Sequence, residues 1–129
     1  MKSLIPVLFL LLSVGFVSAQ QDVSPEITGA LSKGDAASLS AWFGDHVELV
    51  VGNVNDVFSK QQAAGIVADY FRKNKVSSFH ILHKGTKDAS AFVIGSMKAG
   101  NGTFRVYVLV RKAANKSFIQ QLRIESTND

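Results

Sequence analysis

Residues 89–125 read ASAFVIGSMKAGNGTFRVYVLVRKAANKSFIQQLRIE, and this stretch decides the fold. Apolar and polar side chains alternate along it with the period of a half-buried strand, and β-branched and aromatic residues dominate. Two turn signals, Gly100-Asn101-Gly102 and Lys112 to Lys116, cut it into Ala89–Ala99, Thr103–Arg111 and Ser117–Glu125. A fourth run of the same character, Ser78–Lys84, precedes them. The pattern predicts four consecutive antiparallel strands.

The turns propose a register. With Asn101-Gly102 at the centre of a type I′ turn, Lys98 opposes Arg105, Ser96 opposes Tyr107, Ile94 opposes Leu109 and Met97 opposes Val106. With a five-residue loop over Lys112–Lys116, Val110 opposes Phe118, Val106 opposes Leu122, Phe104 opposes Ile124 and Arg105 meets Arg123. One face then collects Val93, Met97, Phe104, Val106, Val108, Val110, Phe118, Leu122 and Ile124. The other is graded: Phe92, Ile94, Leu109 and Ile119 at one end, joined by Phe79 and Ile81, then Ser96, Tyr107, Gln121, Lys98, Arg105 and Arg123.

Upstream the signals are helical. Ser24-Pro25 suits a helix start, Ile27 and Leu31 share a face, and Gly34 followed by Asp35 reads as a stop and a new cap. A second short helix is expected from Ala36 to about Phe43. His46–Val51 and Val54–Phe58 flank the turn signal Gly52-Asn53 and form a hairpin. Ser59-Lys60-Gln61-Gln62 fits a capping box, and Ile66, Val67, Tyr70 and Phe71 then make an apolar stripe, so the longest helix runs from there to Asn74. The class is α+β, in the order α-α-β-β-α-β-β-β-β, as one domain over residues 20–129.

Residues 1–19 read as an export signal: Lys2 supplies a positive start, Leu4–Phe16 an apolar run, and Val17-Ser18-Ala19 a small-residue cleavage site. The apolar run is shorter than the ~20 residues of a spanning helix and Pro6 interrupts it. The expectation is an exported chain, periplasmic or secreted, with no membrane anchor after cleavage. The 129 residues contain no cysteine. A disulfide-free exported domain fits a bacterial periplasm, and a lipid anchor through cysteine has no attachment point. Lysine and arginine total 14 against 10 acids. That excess is mild and scattered over turns and a helix end, unlike the basic stripe with interleaved aromatics of a nucleic-acid binder.

A sheet apolar on both faces needs two covers, and the helices supply one. A second copy of the chain is the simplest second cover, so a homodimer packed through the sheets is expected.

Ala30-Leu31-Ser32-Lys33-Gly34-Asp35, Val47-Glu48-Leu49, Phe58-Ser59-Lys60-Gln61-Gln62-Ala63, His83-Lys84-Gly85, Gly102-Thr103-Phe104-Arg105-Val106-Tyr107 and Leu122-Arg123-Ile124-Glu125 carry a resemblance. Over nearly all of the mature chain the sequence resembles the small exported bacterial family catalogued as domain of unknown function 4783. The resemblance implies a nuclear transport factor 2-like (cystatin-like) fold, a curved sheet wrapped around helices. It carries no assigned activity and hands down no catalytic residue.

The residues themselves offer one polar cluster. Ser96, Arg105, Tyr107, Gln121 and Arg123 share a patch in the proposed register, beside a floor of Ile94 and Leu109. Two adjacent arginines attract a carboxylate or phosphate, unless Glu125 or Glu48 neutralises them. His80 and His83 are three apart, which on a regular strand sends them to opposite faces and away from a shared metal. Neither a metal nor a cofactor is expected. The acids Asp69, Glu48 and Glu125 form no paired-carboxylate signature, and Gly100-Asn101-Gly102 leads into a strand rather than a phosphate-cradling helix. These readings point to a non-catalytic domain that binds a small anionic or amphipathic ligand. The competing readings are a protein-interaction module and an isomerase or hydrolase-like enzyme, which requires an acid or histidine inside the cavity.

Overall fold

The computed structural model describes residues 22–127, so the export signal over residues 1–19 lies outside the described residues. The element order is α1 (Pro25–Lys33), α2 (Ala36–Ser40), β1 (Phe43–Val51), β2 (Val54–Ser59), α3 (Lys60–Lys73), β3 (Val76–Lys87), β4 (Ser90–Ala99), β5 (Gly102–Ala113) and β6 (Lys116–Ser126).

Local chemistry starts each helix. The Ser24 hydroxyl accepts the Glu26 N–H at 3.1 Å, and α1 ends at Gly34, which adopts φ 65°. Asp35 caps α2 by accepting the Ser38 N–H at 3.1 Å and the Ser38 hydroxyl at 2.8 Å. These two hydrogen bonds from Ser38 hold its carboxyl below the usual carboxylate range. The capping box at α3 is complete: Ser59 Oγ accepts the Gln62 N–H at 3.2 Å, and Gln62 Oε1 accepts the Ser59 N–H at 3.3 Å. Helix α2 stops at Ser40 rather than near Phe43. Phe43 instead opens β1 and is buried, because the Trp42 carbonyl accepts the Ile119 N–H at 2.7 Å and draws the chain into the sheet.

The six strands lie in the order β2-β1-β6-β5-β4-β3. All neighbours are antiparallel except β1 and β6, which run parallel, so the final strand sits between the N-terminal hairpin and the meander. The helices cover one face, with α1 against β3 and α3 against β1 and β2. Ile27, Leu31, Leu39 and Val67 from the helices meet Leu49, Met97, Val106, Ile119 and Leu122 from the sheet, all fully buried. Phe104 closes this core at one end, edge-on to Tyr70 with ring centroids 6.2 Å apart. Burial pushes the Tyr70 phenol above its usual value.

Both meander registers differ from the sequence expectation. The first turn centres on Gly100-Asn101, with Gly100 at φ 58° and Ala99 paired to Gly102. Glycine at the first central position is the type II′ solution. Each β4 residue therefore meets a β5 partner two residues earlier than expected: Ser96 faces Arg105, Ile94 faces Tyr107 and Met97 faces Phe104. A two-residue slip leaves the faces unchanged.

The second turn is not a five-residue loop. Ala114 and Asn115, at φ 50° and 66°, form a two-residue turn that pairs Ala113 with Lys116. Val110 then opposes Ile119, and a bulge at Gln120 resets the alternation so that Val108 faces Leu122 and Val106 faces Ile124. The pair Phe118 and Ile119 exchanges roles as a result. Ile119 is fully buried, whereas Phe118 faces away and lays its ring over Gly44.

In β3 a register shift at Ser77 turns Phe79 toward the core, with Ile81 opposite Gly95 on the same side, so neither joins the outer face. A second shift at Leu82 pairs His80 with Ser96 and His83 with Ile94. The extra residue cancels the odd spacing, and the two histidines share the outer face instead of lying on opposite ones.

Candidate functional site

The face of the sheet turned away from the helices carries the chemistry. From β4 it receives Phe92, Ile94 and Ser96; from β5, Arg105, Tyr107, Leu109 and Arg111; from β6, Gln121, Arg123 and Glu125; and from β1, Glu48 and Val50. The five residues singled out in the sequence lie together on three adjacent strands, with altered partners. Ser96 sits opposite Arg105, which faces Glu125 on its other side. Tyr107 lies between Ile94 and Arg123, and Gln121 between Leu109 and Glu48.

The arginines are not directly opposed, as the earlier register had them. Glu125 opposes Arg105 and pairs with Arg123, whose Nη2 lies 3.3 Å from Glu125 Oε2. Both partners of that pair are partly solvated, so its contribution to stability is small. Among the described residues Arg105 makes no ion pair. Glu125 lies between the two guanidinium groups, and Glu48 is the second carboxylate on this face, beyond Gln121.

Beside the patch runs a row of rings. His83 and Phe92 have centroids 5.8 Å apart, and Phe92 and Tyr107 follow at 6.2 Å with their planes inclined by only 31°. Gly85 makes the row possible, since a Cβ there would come within 2.7 Å of the Phe92 ring. The spacing of residues on single strands did not reveal this row, because it needs the bulge at Leu82 to bring His83 onto the face.

The possible catalytic acids lie elsewhere. Asp69 is on the solvent side of α3, paired with Arg72 and with Lys73 at 3.3 Å, and these cations, Lys73 foremost, hold its carboxyl below the usual range. Glu48 and Glu125 are exposed on the outer face. Among the described residues the only buried polar side chain is Ser40, no buried side-chain nitrogen or oxygen lacks a partner, and no group of three or more His, Asp or Glu is placed to hold a metal ion.

This architecture, a curved and open six-stranded sheet with helices on one face, is the nuclear transport factor 2-like, cystatin-like fold. A cystatin-like domain of unknown function from Nostoc punctiforme has it at 9% identity and a TM-score of 0.64, covering 81% of this chain and 72% of that one. The chain belongs to the family described as Domain of unknown function (DUF4783), whose model matches residues 24–125. A solved member from Bacteroides ovatus is 36% identical, with a TM-score of 0.80 and coverage of 85% of this chain and 100% of that one. Another, from Bacteroides uniformis, is 38% identical, with a TM-score of 0.78 over 83% and 99% of the two chains. No curated protein matches the chain.

Proposed function

We propose that this chain is a non-catalytic binding domain that works after export, in a periplasm or secreted space, through the outer face of its sheet. The reading is carried by one observation, the segregation of chemistry between the two faces. On the helix side the described residues bury apolar groups and no acid or histidine, which leaves an isomerase or hydrolase-like reaction without its proton-transfer group. On the outer side, Arg105 and Arg123 stand beside Ser96, Tyr107 and Gln121, over half-buried Ile94 and Leu109. Such a surface favours a small anionic or amphipathic ligand, whose charge meets the guanidinium groups and whose apolar part meets the floor. Export rests on the composition of residues 1–19.

A second reading, an interaction module that pairs with its own copy, draws on the same face. Phe92, Ile94, Tyr107 and Leu109 form a contiguous half-buried apolar band, and no helix or strand of the described residues covers it. Native mass spectrometry of the mature protein, purified from its own periplasm and compared with a denatured, extracted control, separates the two. A retained small molecule supports the ligand reading and gives its mass. A dimer carrying nothing favours the interaction module, and a bare monomer overturns both.

A further inference from the structure

We infer that the aromatic end of the outer face is a subsite for a flat aromatic acid, a ring system bearing a carboxylate or sulfonate. This rests on the ligand-binding reading above and locates it. A hollow of about 390 Å³ opens where the β3–β4 turn approaches the middle of β5, bordered by Lys87, Asp88, Phe92, Tyr107, Leu109 and Arg111. Its floor is the Phe92 and Tyr107 pair, inclined by 31°, with Leu109 beside it. Gly85 lies against the Phe92 ring, and His83 flanks the same ring at 5.8 Å.

The rim is charged and anchored. Lys87 and Arg111 supply two cations against one acid, Asp88. The turn that carries Asp88 is tied to β5, since the Lys112 N–H donates to the Ala89 carbonyl at 2.8 Å. A flat aromatic acid satisfies both parts at once: its ring lies against the adjacent Phe92 and Tyr107 rings, and its acid group reaches the guanidinium of Arg111 or the ammonium of Lys87. An aliphatic anion leaves the rings uncovered. A neutral aromatic leaves the surplus cation without a partner.

The test uses two fluorescent probes on the mature protein, 8-anilinonaphthalene-1-sulfonate and its uncharged analogue N-phenyl-1-naphthylamine. The sulfonate is expected to bind saturably, one per chain, and more tightly than the analogue. Arg111→Gln should weaken the sulfonate about fivefold, the upper range for one exposed charge pair, and leave the analogue unchanged. Arg72→Gln, on the solvent side of α3 and so on the opposite side of the sheet, should leave both unchanged. Thermal melts matching the parent protein establish that each exposed substitution folds. Sulfonate binding that survives Arg111→Gln undiminished overturns the subsite. If Arg105→Gln, at the opposite end of the patch, weakens it instead, the broader patch stands and only the subsite falls; if neither Arg111→Gln nor Arg105→Gln alters it, both readings fall.

Discussion

At the scale of single residues, the sheet is shaped by glycines lying under aromatic rings. Gly95 in β4 is the most constrained. A Cβ there would sit 2.4 Å from the Phe79 ring and 2.8 Å from the His80 carbonyl oxygen. Phe79 packs against the core and the carbonyl belongs to the sheet, so neither can retreat freely. Gly95→Ala should therefore destabilise the domain by about 1–3 kcal/mol, the usual cost of overpacking, measured by urea unfolding. Gly85→Ala is the internal comparison. The atoms nearest its Cβ belong to the Phe92 ring on the outer face, which can swing toward solvent, so the stability loss should be smaller. Equal losses at the two positions would contradict this account. In the sequence, Gly95 looked like one more position in an alternating strand. Its role depends on which ring lies across the ladder, and that requires the register.

At the scale of elements, the helices were legible because their signals are local. Ser24-Pro25, Asp35 and Ser59 with Gln62 are complete statements within four residues of chain, and each cap forms as read. Ser59→Ala removes the acceptor for the Gln62 N–H and half of the capping box, and should cost about 1 kcal/mol. In a domain of this size that corresponds to a fall in melting temperature of about 4–8 °C, read by circular dichroism. An unchanged melting temperature would mean that α3 is held by packing alone.

The turns were less legible. Gly100-Asn101-Gly102 contains two overlapping two-residue turns, and only the three-dimensional structure selects the one that places glycine first. Ala114-Asn115 falls inside the five-residue loop that the sequence proposes, and alanine rarely adopts the left-handed conformation it takes here, φ 50°. The two-residue turn sets Ile119 opposite Val110 and so buries it, and the bulge at Gln120, which has no sequence signature, then returns Leu122 and Ile124 to the same face. The candidate site inherited these errors in a limited way. A slip of two residues preserves the face, so Ser96, Arg105, Tyr107, Gln121 and Arg123 still gather, but Glu125 stands where Arg123 was expected opposite Arg105.

At the scale of the molecule, the outer face poses the question of self-association. Ile94 sits near its centre, between His83 and Tyr107 in the ladder. On the reading that this face pairs with its own copy, sedimentation velocity finds the parent protein as a dimer and Ile94→Glu as a monomer with its circular dichroism spectrum retained, because a buried, unpaired carboxylate at a symmetric contact is introduced twice. A parent protein that sediments as a monomer removes the dimer reading.

The parallel pairing of β1 with β6 had no local signal, since it joins segments some seventy residues apart. Its consequence lies in time. Among the described residues the last strand, β6, occupies an interior place in the sheet, with β1 on one side and β5 on the other. Until residues 119–124 emerge, β1 and β5 each present a bare edge and Leu49 and Val108 have no neighbour between them, so a chain halted early is left open along its middle. Closure of the sheet is thus deferred until β6 has been made, and the strands before it wait unsealed.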